Sequence, residues 1–146
     1  MATTTGRGRR AGWSTQANDV VDRVFVYGTF RLGEPARAMI DGYVESHEPA
    51  SITGRIYAFA EGWPGMVEDD DAVVVGELLW LQELAAALPL LDAYEGEEFR
   101  RVLRLARRAD GASMYAWCYM LADAATAATG ALIPHGDWTR WRRERA

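Results

Sequence analysis

The sequence is poor in the residues that build cross-links and metal sites. Its one cysteine, Cys118, excludes an internal disulfide, and its two histidines, His47 and His135, leave almost nothing from which to assemble a zinc site. Cys118 lies in the apolar run YAWCYML and reads as a packed core thiol. Lysine is absent, so every basic residue is arginine. No apolar run approaches the roughly 20 residues of a membrane-spanning helix. The opening MATTTGRGRRAGWSTQAND lacks the apolar stretch of a signal peptide, so a cytoplasmic location is expected, with no membrane partner. A formal net charge of -5 argues against a nucleic-acid partner, which needs a concentrated positive patch. Missing, too, are the nucleotide signatures: GTFRLG is not followed by GK[ST], and no GxGxxG occurs.

What is present fits one domain: 146 residues, 49% hydrophobic and 25% charged, suffice for a core of their own. Residues 1–21 read as a disordered basic leader, 22–141 as the folded domain and 142–146 as a basic tail. The arginines gather in RGRR, in Arg107 and Arg108, and in RWRRERA, which read as a flexible tail, a solvated strand edge and a frayed end. Only if all three shared one face would they suggest an RNA or membrane contact.

RVFVY is short, β-branched and aromatic, and ends at Gly28, as a buried strand would. EPARAMI forms a short helix with Pro35 in its first turn. ASITGRIYAF alternates as one half-buried strand, EGWPGMVEDDD supplies turns, and AVVVGELLWL is a further strand with a bulge at Gly76. In LQELAAALPLLDAYEG the period changes: Leu84, Leu88 and Leu91 fall at i, i+4 and i+7, giving a one-faced helix closed by Gly96 and disturbed at Pro89. FRRVLRLARR and SMYAWCYML follow as a hairpin around ADG. Strands outnumber helices and are mostly joined by short turns, so the class is α+β with a mixed, curled sheet. Asp69 to Asp71 lack the pattern of a calcium loop and read as a solvated turn. Trp138 and Trp141 are positioned to clamp the chain end onto the domain.

Two features stand out chemically. One further turn of the leucine stripe reaches Glu95, so a carboxylate follows the apolar face and also stands at a helix C-terminus, where an anion is disfavoured. Both effects raise its pKa toward the range useful for proton transfer, unless the disturbance at Pro89 turns it out to solvent. Glu97 and Glu98 are ambiguous: alternation sends one inward and the other outward, toward Arg100 or Arg101. The second feature is the glycine-rich loop after RVFVY, whose accessible N–H groups suit a carboxylate or a developing oxyanion, or simply turn the chain.

With these in place, the sequence resembles the γ-glutamylcyclotransferase superfamily, also called AIG2-like, and within it the branch of YtfP-like proteins and γ-glutamylamine cyclotransferases. VYGTFRLGEPAR is similar to that branch's VYGTLxxGxxN, IYAFAEGWPGMVED to its tyrosine-then-YPxxV segment, and GELLWL with LPLLDAYEGEEFRR to GExxxl…LDxyEGxxYxR. AWCYM and IPHGDW resemble AwvYv and IpsGDW, and the matches run in order from about Arg23 to Trp138. The resemblance implies a small mixed β-barrel flanked by short helices. It also implies Glu95 as the catalytic acid–base, Tyr27, Gly28, Thr29 and Phe30 as the substrate-holding loop, and Tyr119 as a cavity wall.

The implied reaction cyclises a γ-glutamyl amide to 5-oxoproline and a free amine or amino acid, without metal or cofactor, in a monomer or weak homodimer. Phe30, Phe99 and His135 depart from the usual leucine, tyrosine and serine, which bears on substrate choice. A deprotecting enzyme of natural-product biosynthesis in a high-GC bacterium, a non-catalytic sensor of a γ-glutamyl or acidic metabolite, and an interaction protein using its arginine-rich ends are the alternatives.

Overall fold

The computed structural model describes residues 21–146; the leader, apart from Val21, lies outside them. Val21 already belongs to the domain, since it is buried and its carbonyl accepts from the Trp117 indole.

Five strands close into a barrel: β1 (Arg23–Val26), β2 (Val44–Thr53), β5 (Val73–Leu81), β6 (Phe99–Arg108) and β7 (Ser113–Leu121), in the order β1-β5-β2-β6-β7. All neighbours are antiparallel except β1 and β7, whose parallel pairing closes the ring. A second sheet is formed by β3 (Arg55–Ala58), β4 (Pro64–Val67) and β8 (Ala131–Leu132), ordered β4-β3-β8. The helices are α1 (Arg37–Ile40), α2 (Leu84–Glu95) and α3 (Trp138–Glu144), with 3-10 turns at Asp41–Tyr43 and Ala124–Thr129. This is the mixed barrel with short helices that the resemblance implies.

Alternation along β1 divides the core in two. Phe25 and Tyr27 face a cluster with Ile52, Leu78, Cys118 and Trp138, whereas Val24 and Val26 join Leu79, Ala87, Leu91 and Tyr119 under helix α2. Both faces of β1 are therefore buried, which explains its unbroken apolar run. Gly76 is not a bulge: it pairs in register with Ala50, and the register shift lies between Val44 and Ser46. A Cβ at Gly76 would stand 2.2 Å from Val26 O and 2.7 Å from Phe25 Cζ, so glycine is there for close approach to β1.

Three other elements differ from expectation. ASITGRIYAF is split at Gly54, with β2 in the barrel and β3 in the second sheet. Pro64–Val67 forms an edge strand rather than a turn; Pro64 opens it, where its missing N–H costs no interior ladder bond. Pro89 lies inside α2 without ending it. Helix α3 runs on to Glu144, past residue 141, and is capped by Asp137, whose carboxylate accepts from Arg140 N–H. Trp138 is buried and Trp141 packs against the same cluster, so the clamp forms as expected.

Candidate active site

At the C-terminal end of α2, a cavity of about 300 Å³ opens beside the turn that follows β1. Tyr27, Gly28, Thr29 and Phe30 line it from one side and Leu91, Tyr94 and Glu95 from the helix; Trp63, Pro64, Glu98, Phe99 and Tyr119 complete much of the wall. Every site residue anticipated from sequence thus borders one space.

Glu95 reaches it because α2 buries Ala87 and Leu91, and Glu95 continues that row at the next i+4 step. Gly96 then takes φ +74° and donates its N–H to Asp92 O, ending the helix with Glu95 at its last position. The residue as a whole is half-buried, and the loss of water around its carboxyl alone pushes that group up to about 7. Among the described residues no side chain forms an ion pair with it. Around neutral pH this group holds and releases a proton with equal ease.

The turn contributes backbone. Arg31 N–H donates to Gly28 O and Ala36 N–H to Thr29 O, while among the described residues no backbone carbonyl accepts from the N–H groups of Gly28, Thr29 and Phe30. Gly28 has a packing reason as well, since a Cβ there would stand 2.7 Å from Pro64 Cγ. The proline and the glycine therefore lie together in the wall, joining the two sheets.

The Tyr27 side chain is a bolt. Its hydroxyl donates to Tyr119 O at 2.6 Å and accepts from Met66 N–H at 3.1 Å, linking β1, β7 and β4. Burial first, then the nearby Cys118 and Glu95, raise its pKa well above the ordinary phenol, so it stays protonated. Tyr119 is spent similarly: its hydroxyl donates to Asp92 Oδ1 at 2.6 Å, and burial, then that bond, raise its pKa. Burial pushes the Cys118 thiol up to about 12, which fits an inert core residue.

Two wall residues, Trp63 and Tyr94, have no role in the sequence reading. Phe30 and Tyr94 meet edge to face at 4.9 Å, and Trp63 stacks on Phe59 and meets Phe99 edge to face at 5.4 Å. Glu97 and Glu98 precede β6 rather than alternating within it, both are exposed, and only Glu98 lines the cavity. Arg101 pairs with Asp92 at 2.8 Å, not with either glutamate. Behind the turn, Glu34 is almost fully buried and accepts a two-pronged bond from Arg142 at 3.1 and 2.7 Å, with Thr139 at 3.3 Å. Arg31 bridges Glu77 and Asp137, and Arg37 reaches Glu77, Asp41 and Phe30 O. The end that composition marks as a frayed tail thus holds the loop through Arg142. Arg108 forms a forked pair with Glu48, while RGRR lies outside the described residues.

A desolvated acid and a turn whose N–H groups have no backbone partner among the described residues thus share one cleft sized for a small molecule, an arrangement able to move a proton beside hydrogen-bond donors. Comparison with known proteins gives the class a family: the sequence model described as "Gamma-glutamyl cyclotransferase, AIG2-like" matches residues 24–140, and the chain belongs to that family. No curated protein matches it. Among solved structures, YkqA of Bacillus subtilis is 22% identical with a TM-score of 0.68, covering 86% of this chain and 42% of that one. An aig2-like protein of Mus musculus is 18% identical, TM-score 0.65, over 81% of this chain and 88% of its own. A protein of Pyrococcus horikoshii is 20% identical, TM-score 0.64, over 84% and 94%. These likenesses carry the fold, and the chain spans less than half the length of YkqA. Among the described residues no helix is long and apolar enough to cross a membrane.

Proposed function

We propose that this chain cyclises a γ-glutamyl amide, releasing 5-oxoproline and a free amine, with Glu95 as general base and then general acid. The observation that carries the reading is a desolvated Glu95, without an ion-pair partner among the described residues, sharing one cavity with the Tyr27–Phe30 turn. Glu95 takes a proton from the substrate's α-ammonium, and the freed amine attacks the γ-carbonyl to close a five-membered ring. The N–H groups of the turn stabilise the oxyanion that forms. Collapse breaks the bond to the departing nitrogen, which Glu95 protonates. In total the α-nitrogen loses two protons and the departing nitrogen gains two, so Glu95 ends in its starting state and no water is consumed.

Nucleophile and electrophile belong to one molecule, so the protein need only fold it into a reactive shape. The cavity is built for this. Phe30, Tyr94, Trp63 and Phe99 give it rigid walls, and Tyr27 and Tyr119 fix its floor through bonds already made. The test is release of 5-oxoproline, followed by mass spectrometry, when the purified chain meets a panel of γ-glutamyl amides. Glu95→Gln should lower kcat by about a thousandfold, as expected for loss of a positioned acid–base group. No 5-oxoproline from any amide, or equal turnover by the variant, would sink the reading; tight binding without turnover in both would point to a sensor.

A further inference from the structure

The charges around the cavity are one-sided. Among the described residues, its lining includes two carboxylates, Glu95 and Glu98, and no arginine or histidine. This is unusual in a chain that pairs Glu34, Glu48, Glu77, Asp92 and Asp137 with arginine. Glu98 sits just beyond the helix end, and its Oε1 would lie 3.2 Å from a Cβ placed on Gly96, so its carboxylate folds back toward the end of α2. Among the described residues no cation pairs with it, and it is exposed to solvent. It shares the cavity lining with three aromatic rings: Trp63 and Phe99, half-buried and in edge-to-face contact, and Tyr94, which is 46% exposed. An acid beside accessible aromatic rings attracts a cation both by charge and by the ring quadrupole.

Resting on the cyclotransferase reading above, we propose that Glu98, Trp63, Tyr94 and Phe99 form a leaving-group subsite that selects amines carrying a second positive charge. The glutamyl unit brings its own carboxylate, which would share with the oxyanion the three N–H groups of the turn that have no backbone partner among the described residues. A leaving group with another carboxylate would meet two acids and no counter-charge. A neutral alkyl amine would gain only the aromatic wall, whereas a diamine would also neutralise Glu98.

Three amides of similar length separate these cases: the mono-γ-glutamyl derivatives of 1,4-diaminobutane, n-butylamine and 4-aminobutyrate. The expected order of kcat/KM is cationic, neutral, anionic, with about tenfold between the extremes, the size of a partly exposed ion pair plus a cation–π contact. Glu98→Gln should shrink that spread to about threefold or less, and Glu98→Arg should reverse its order. Equal rates, an anionic preference, or an unchanged spread in Glu98→Gln overturn the subsite. If no amide is turned over, the cyclisation reading fails, and calorimetry on the full chain carrying Glu95→Gln decides the subsite separately. Tightest binding of the diamine derivative sustains it; binding without charge order, or no binding, overturns it.

Discussion

Asp92 and Glu95 lie one turn apart on helix α2, yet among the described residues only Asp92 is given a guanidinium. Burial pushes the Asp92 carboxyl upward, but hydrogen bonds from Arg101 and Tyr119 overcome it and hold the group below its ordinary range. Glu95 meets burial with nothing to offset it and rises to about 7. The loop that shares the cavity with Glu95 repeats the contrast: among the described residues its Gly28, Thr29 and Phe30 N–H groups have no backbone partner, while the residues just after them are fastened by the Glu34–Arg142 fork and the Arg31 and Arg37 contacts. Among the described residues, arginine pairs with the structural acids and with neither acid of the cavity. In the proposed reaction, reactivity comes from an omitted partner, held in place by pairs that are complete.

The contrast breaks most sharply at Glu95, through the pH dependence of stability. Its folded pKa of about 7 lies above the unfolded value of 4.5, so between those values the folded state keeps a proton that the unfolded state has released. Stability is therefore full below about pH 4.5, falls as pH rises through the window and levels off above about 7. Glutamine mimics the protonated form. Glu95→Gln should match the wild type at pH 4.5 and be more stable at pH 8 by about 2–3 kcal/mol, read from urea melts at both pH values. In the wild type, kcat/KM for any turned-over amide should rise with pH across the same window, since the base must be ionised. An equal effect of the substitution at both pH values would mean that Glu95 is solvated.

The paired region should respond with the opposite sign. Arg142→Met leaves the carboxylate of Glu34, 1% exposed, with only the Thr139 hydroxyl. An under-satisfied buried acid costs about 1–3 kcal/mol, and Glu34→Gln in the same chain should recover part of it. Because Glu34 begins the segment leading into α1, KM should rise along with the loss of stability. A melt unchanged by Arg142→Met would show the end of α3 to be the loose tail that composition suggests.

How much of this is legible in the sequence follows from the range of each signal. β1 is readable because both of its faces are buried, and Glu95 because it extends a helical row. Even so, the buried members of that row are Ala87 and Leu91, with Leu84 and Leu88 only half-buried. Alanine gives a weak apolar signal, so the stripe shows itself through its flanking leucines. Pro64–Val67 is hidden because Trp-Pro-Gly reads locally as a turn, and only an edge position next to β3 makes it a strand. The Glu34–Arg142 fork spans 108 residues, beyond the reach of any local rule. Glu98 is ambiguous for another reason: alternation applies only once a strand has begun, and β6 begins one residue later.

The smallest effect tests whether Asp92 is silenced by two partners or by one. Tyr119→Phe removes the 2.6 Å bond to Asp92 Oδ1 but leaves Arg101, and it keeps the backbone carbonyl that receives the Tyr27 hydroxyl. Asp92 is partly exposed, so water can replace the lost donor, and the cost should be about 1 kcal/mol or less. The Asp92 carboxyl should move up, toward its ordinary value, as followed by its carbon-13 shift on titration, while that of Glu95 stays near 7. If Glu95 moved instead, the two carboxylates would share one hydrogen-bond system, and the division between paired and unpaired acids on α2 would not hold.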